Sequence, residues 1–380
     1  MKKVGIIAVE QTKFEAARVE SGFSDLVFET SGPAVKKAGL TRDDIDQIVT
    51  ASQDFWDGRT ISNFAVSEAC GSYLKPESKV AMDAAMAVFY GLARILSGAY
   101  KTGLVTTHCK MSQGPQNVIY NAVFDPMYQR QLGLDFVNAH AFQARAYMEK
   151  YGVGPEQWAE VTVKNKKNAL KNPKAMDGRE LTIDDVMNSP MLADPIKELD
   201  CMPVSDGSAT IIMAEEETAK KLCDKPVWIK GFATYMDNYY FGDRDLAEVG
   251  ALEKSAKRAY KMAGITDPKK EIDVVELTEF FSYQEPMWAE GLGLCDRGKG
   301  GDLIKDNIST QDGSLPINAS GGVLAGNPHT VAGMVRVIEA CNQLTGDAGE
   351  YQKDGAKTAV VQSTTGPCGQ SQCVMVLSTD

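Results

Sequence analysis

Short runs of apolar, β-branched residues alternate along this chain with longer stretches whose apolar residues recur at helical spacing. Val4 to Val9 is the first such run and predicts a buried strand. A helix is predicted over Ser24–Ala38, closed by Gly39, and the polar joint Thr41-Arg-Asp-Asp leads into a strand over Ile45–Thr50. Far downstream the same order returns: a strand over Val227–Ala233, a helix over Leu252–Ala263 closed by Gly264, and a strand over Ile272–Leu277. The joints match position by position. Ala38-Gly39-Leu40-Thr41 answers Ala263-Gly264-Ile265-Thr266, and Ile45-Asp46 answers Ile272-Asp273. The repetition predicts an internal duplication into two α/β halves, each a sheet covered by helices.

Between the repeats, Ala81–Gly98 is rich in small residues and has no charge between Asp83 and Arg94, which describes a buried helix approached closely by other backbone. Val105–Ser112 follows as a strand and loop. Its neighbours His108 and Cys109 read as strand residues pointing to opposite faces rather than as a catalytic pair. The middle of the chain holds two amphipathic helices, Phe142–Gly152 and Glu156–Lys167. The basic run Asn165–Pro173 reads as a solvated face or, more sharply, as a phosphate site. Two glycine-rich loops close the pattern. One is Leu315–Gly333, with Gly321, Gly322, Gly326 and Gly333 ahead of an apolar helix over Met334–Leu344. The other lies between two strands in Val360–Leu377. Glycine admits close backbone approach, so both loops are candidate ligand sites built from main chain.

Composition narrows the function. At 380 residues with 43% hydrophobic and 24% charged residues, the chain buries a large core over two to three domains. A net charge of −11 without a long basic run argues against nucleic acid or an anionic membrane. No apolar stretch is long enough for a membrane span, and Met1-Lys-Lys-Val-Gly-Ile-Ile is too short for a signal peptide. The eight cysteines include no Cys-x-x-Cys pair, which predicts a cytoplasmic setting, and three histidines are too few for a histidine-based metal site.

Several motifs together carry a resemblance. Asn318-Ala-Ser-Gly-Gly followed by Gly326-Asn-Pro and Ala332-Gly333 resembles the Asn-x-x-Gly-Gly…Gly-His-Pro…Gly loop of the thiolase superfamily. Lys110-Met-Ser112, the run Ala193-Asp-Pro-Ile…Ser205-Asp-Gly-Ser-Ala209 and Glu276-Leu-Thr-Glu-Phe-Phe281 extend it over essentially the whole chain, closest to the sterol-carrier-protein branch. The resemblance implies an α/β thiolase fold of duplicated mixed-sheet halves in a layered α-β-α-β-α arrangement. It implies an N-terminal half of residues 1–117 plus 200–222, an insertion domain of 118–199 and a C-terminal half of 223–380. It also implies a homodimer, with Val105–Ser112 supplying a strand that would otherwise be an exposed edge.

The same alignment implies a loss. The nucleophilic cysteine of the family falls on Ala81, its serine on Asp83, the water-positioning residue on Thr278, the Gly-His-Pro histidine on Asn327 and the second cysteine near Ser363. Alanine has no nucleophilic atom, so no acyl-enzyme forms there. Three readings remain. In the first, the chain binds a CoA thioester and cleaves or forms a C–C bond in retro-aldol fashion, as cysteine-less relatives do with tyrosines and an OB-fold, zinc-ribbon partner subunit. Tyr239 and Tyr240 are then candidate bases or aromatic packing, Glu279 a catalytic or structural carboxylate, and Asn327 an oxyanion donor. His329 is then the nearest titratable group or a first-turn residue facing solvent. Ser320, Gly321, Gly322, Gly326, Gly366 and Cys368 would contact the CoA ester, with no permanently bound cofactor and no metal. In the second reading Cys368, Cys109 or a cysteine in an unexpected register replaces the nucleophile of a thiolase. In the third the chain is a silent subunit of a heteromeric complex. Phe280, Phe281, Tyr283 and Trp288 hint at a bulky or aromatic acyl chain.

Overall fold

The computed structural model describes residues 3–380, and its centre is one nine-stranded mixed sheet. The strands are β1 (Val4–Gln11), β2 (Gln47–Ala51), β3 (Glu77–Val80), β4 (Thr102–Lys110), β5 (Asp206–Glu215), β6 (Val227–Met236), β7 (Val274–Leu277), β8 (Thr358–Thr365) and β9 (Ser371–Ser378). Their spatial order is β3-β2-β4-β5-β1-β6-β9-β8-β7.

The two ends of that order repeat each other. β2 runs parallel to β4, while β4–β5 and β5–β1 are antiparallel. On the other side β7 runs parallel to β8, while β8–β9 and β9–β6 are antiparallel. The helices obey the same pairing: α1 (Phe23–Lys37) and α5 (Gly250–Ala263) follow the first strand of each half, while α2 (Ala84–Leu96) leads into β4 and α7 (Ala332–Thr345) into β8. Both joints singled out in the sequence turn through a left-handed glycine, Gly39 at φ 69° and Gly264 at φ 80°. The halves meet where β1 and β6 pair at Gly5–Trp228 and Ile6–Val227, which makes one continuous sheet of what the pattern predicts as two.

Alternation along the strands sets the layers. On one face of the first half Ile7, Ile48, Leu104 and Ile212 pack with Val27 and Ala34 of α1. On the other Val49, Val105, Ile211 and Met213 join the core that holds α2. α2 and α7 pack against each other, and α5 packs on β6 and β9. Between β4 and β5 the chain leaves the sheet and forms α3 (Phe136–Tyr151) and α4 (Pro155–Ala169). The last helix used below, α6 (Gln284–Gly291), is buried along its whole length. No helix among the described residues is long and apolar enough to cross a membrane.

Two expectations change. β4 lies inside the sheet between β2 and β5, so it is not the edge that a second copy would cover. The half-exposed edge is β3, whereas the opposite edge strand β7 is buried and bridged to Ile317. The basic run 165–173 is a solvated face only in part: Lys167 and Lys171 are exposed, whereas the lysines on the inner side of α4 are not. Lys166 is buried, pairs with Asp177 at 2.5 Å and donates to the Leu324 carbonyl, while Lys164 pairs with Glu285 at 2.7 Å. These lysines fasten the insertion to the glycine loop.

Candidate active site

A cavity of about 190 Å³, partly open to solvent, lies where the N-termini of α2 and α7 converge. One wall is Ala81, Asp83 and the turn after β8, Thr364-Thr365-Gly366. Facing them are Trp56, Tyr120, Phe280 and His329.

Asp83 is the polar centre of this space. It caps α2, with Oδ1 accepting the Ala85 amide at 2.9 Å, and Oδ2 accepts the Gly333 amide at the start of α7 at 2.8 Å. The Ser363 hydroxyl donates to Oδ1 at 2.5 Å, and the Asp83 amide itself donates to Thr365 Oγ1 at 2.8 Å. Two helix N-termini therefore point at one carboxylate, which favours its ionised form. Burial opposes that and wins, raising the carboxyl to about 6 despite the hydrogen bonds that lower it. A carboxylate offers about four acceptor positions, and three are used, so one position on Oδ2 is free. Gly333 is dictated by this packing, because a Cβ there would lie 1.9 Å from Asp83 Oδ1 and 2.3 Å from Ser363 Oγ.

His329 does not face solvent. Its ring packs against Trp56 (centroids 4.8 Å apart) and Tyr120 (5.8 Å), which also touch each other at 6.1 Å, with Phe136 edge-on and Phe280 tilted against it. Nε2 is buried without a partner, and burial, aided by the neighbouring His140, pushes the imidazole down to about 3. His329 is thus neutral throughout the physiological range. The Tyr120 hydroxyl makes no protein hydrogen bond among the described residues, and burial of the ring holds its phenol well above the usual value.

The other predicted residues lie elsewhere. Glu279 is buried beneath the glycine loop, accepting from Asn165 Nδ2 (3.0 Å), Asn318 Nδ2 (2.7 Å) and the Leu324 amide (3.2 Å). Burial pushes it up to about 8, with Arg336 opposing and Glu285 adding to the rise. Gly322, at φ 67°, closes over it so tightly that a Cβ would come within 2.0 Å of Glu279 Oε1. Asn327 accepts from Arg336 Nη2 at 2.5 Å, and Arg336 also holds Glu276 (2.6 Å) and Ser320 Oγ (2.8 Å). Ser320, Gly321, Gly322 and Gly326 belong to this buried scaffold and do not line the cavity. Thr278 is bonded to Gln362 on β8. Of the predicted ligand contacts Gly366 reaches the cavity, and of the predicted catalytic groups His329 does.

Tyr239 and Tyr240 are about 45% and 43% exposed, outside the cavity. Tyr239 donates to the carbonyl of Val123, a residue of the cavity wall, at 3.3 Å. Cys368 is buried, with Sγ on the Ala139 carbonyl at 3.2 Å and a thiol that burial pushes up to about 12. Cys109 is buried in the core and raised further, while its neighbour His108 points the other way, to Asp57 Oδ2 at 3.1 Å. Among the described residues no cysteine lines the cavity. Sequence reasoning noted Asp83 only as a departure from a serine and missed Trp56 and Tyr120, which reach the cavity from short helices at Asp54–Asp57 and Gln116–Asn121.

Comparison with known proteins agrees with this architecture. Residues 233–379 match the family described as "Thiolase C-terminal domain-like". The acetyl-CoA acetyltransferase of Methanothermobacter thermautotrophicus is 32% identical over 379 residues, covering 97% of this chain and 98% of that protein. Sterol carrier protein 2 of Oryctolagus cuniculus is 29% identical over 384 residues, 95% of this chain and 69% of that one. In structure, the Ltp2-ChsH2(DUF35) aldolase superposes with a TM-score of 0.85 at 24% identity, over 100% of this chain and 98% of the other.

Proposed function

The chain belongs to the thiolase superfamily, and from that premise we propose that it makes or breaks a C–C bond in the acyl chain of a CoA thioester by aldol chemistry, without an acyl-enzyme. One observation carries the reading: the cavity presents a methyl group at Ala81 and, two residues on, a carboxylate with one free acceptor position, and no thiol lines it.

The cleavage direction balances with this chain's own groups. Ionised Asp83 takes the proton of a β-hydroxyl, and the oxygen's electron pair becomes the new carbonyl π bond. The Cα–Cβ bond breaks and its pair moves into the enolate of the thioester. Among the described residues the amides of Ala81 and Gly366 have no protein acceptor, and they receive the enolate oxygen, the role preorganised backbone donors fill in acyl chemistry. Protonated Asp83 then returns its proton to Cα. A carbonyl compound and a shorter acyl-CoA leave, and no free CoA is consumed. A base with a pKa near 6 is well matched to this work at neutral pH.

Tyr239 and Tyr240 act in this scheme at the rim rather than as the base. The solved aldolase of the same fold pairs with a DUF35 protein, and an OB-fold, zinc-ribbon subunit is the partner proposed here. A second copy of the chain is proposed along β3, whose flank carries the exposed Phe64, Tyr73 and Leu74. The test incubates the chain, alone and with its partner, with β-hydroxyacyl-CoA and β-ketoacyl-CoA panels, with and without free CoA. Splitting of β-hydroxyacyl-CoA without free CoA is expected. Cleavage of β-ketoacyl-CoA strictly dependent on free CoA would return the chain to thiolysis, and no turnover of either panel would leave the silent reading.

A further inference from the structure

The cavity's walls differ in kind from those that receive an alkyl chain. Methionine, unbranched and adaptable, suits a flexible ligand, and ligand pockets usually mix aliphatic with aromatic side chains. Here rings dominate: Phe55, Trp56, Tyr120, Phe280 and the imidazole of His329 line the space, whereas Val123 and Ala81 are its aliphatic members. The rings are also ordered relative to one another. Trp56 and Tyr120 each lie near-parallel to the His329 imidazole, at 25° and 30°, and meet each other at 6.1 Å with a tilt of 53°. Phe136 meets the imidazole edge-on at 81° and Phe280 at 52°. All five members of this cluster are buried and packed together, which fixes this part of the wall, while Phe55 stands exposed beside it.

We infer that the acyl group carries an aromatic ring, so that the substrate is a β-aryl-β-hydroxyacyl-CoA and the released carbonyl compound an aryl aldehyde or ketone. The inference rests on the aldol reading for the reaction but on the ring wall alone for the ligand. A flat aryl group gains stacked and edge-to-face contacts that an alkyl chain of equal size does not, and each such pair is worth roughly twofold to tenfold in affinity. The polar atoms interrupting the rings suit the same ligand. The Tyr120 hydroxyl, unpaired within the protein among the described residues, and Asp83 offer partners to the oxygen on the carbon that bears the ring.

Binding of 3-phenylpropanoyl-CoA and nonanoyl-CoA, matched in acyl carbon number, to the full chain by calorimetry tests the ligand without requiring turnover. The phenylpropanoyl ester, with its ring on the same carbon as the inferred substrate, is expected to bind at least about tenfold tighter. Trp56→Leu should erase that ratio while nonanoyl-CoA still binds, and Phe280→Leu, the second variant should the first fail to fold, should reduce it. Equal affinities, or binding of neither, overturn the inference. Turnover of β-hydroxy-β-phenylpropanoyl-CoA against β-hydroxynonanoyl-CoA separates the two claims. Both esters split with equal kcat/KM leaves the aldol reading standing and sinks the aryl one; tight, selective 3-phenylpropanoyl-CoA binding with neither ester split does the reverse.

Discussion

Asp83 and Glu279 make an instructive pair. Both are carboxyls at least 98% buried, both accept hydrogen bonds from backbone amides, and burial raises both, to about 6 and about 8. They differ in what faces them. Asp83 sits in the wall of a cavity with an acceptor position to spare, whereas Glu279 is enclosed by Asn165, Asn318 and the glycine loop that closes at Gly322. A perturbed carboxyl thus marks a site only where reactants reach it. On the reading proposed above, the first serves the chemistry and the second holds a loop.

The sharpest way to break this comparison is to neutralise each carboxyl in turn. Asp83→Asn should lower kcat/KM by about 10²–10⁴-fold, the usual range for losing a general base, with CoA-ester affinity little changed. The variant also loses stability, about 1–3 kcal/mol, because an amide nitrogen cannot accept from the Gly333 amide. Retention of more than about a tenth of the activity would move the base elsewhere.

The pH profile is the next largest effect. Asp83 works ionised, so kcat/KM should fall about tenfold per unit below pH 6 and level off above it. The Ser363 hydroxyl is the leading influence lowering that carboxyl, so Ser363→Ala should shift the limb to higher pH. His329 cannot supply the limb, since it protonates only near pH 3. A limb that stays in place in Ser363→Ala would detach the profile from Asp83.

Glu279→Gln should leave turnover within about twofold and show itself in stability instead. The folded state holds the proton of Glu279 up to about pH 8, while the unfolded chain releases it near 4.5. Proton release by the unfolded chain alone therefore lowers stability progressively as pH rises from 4.5 to 8. Denaturation midpoints of the wild type should decline relative to Glu279→Gln across that window; a parallel pair of curves would contradict the assignment. Smallest of all, iodoacetamide at neutral pH should leave activity intact, because the thiols nearest the site are buried and raised in pKa.

Much of the fold was legible because it is local and periodic. The glycine-closed helices and short apolar strands of the two halves stand out in the sequence, and the structure aligns them in mirrored strand orders. Ala81 and Gly366 were legible as cavity positions through the resemblance. Asp83 was not, because its meaning depends on Gly333 and Ser363, hundreds of residues away in the chain. Trp56 and Tyr120 come from short helices with no motif of their own. His329 shows the opposite error. Its place at the head of a helix suggests exposure, yet α3 brings Phe136 over it and the whole turn is buried. Glycine density in the loop signalled close packing correctly, but the partner is Glu279 and α4 rather than a ligand.

The central claim is C–C cleavage without a covalent intermediate, and intact-mass spectrometry of the chain quenched during turnover tests it most directly. With β-hydroxyacyl-CoA as the only reactant, the account predicts a carbonyl product and a shorter acyl-CoA in equal amounts, with the mass of the chain unchanged throughout. A chain carrying the mass of an acyl group, lost when free CoA is added, would contradict it.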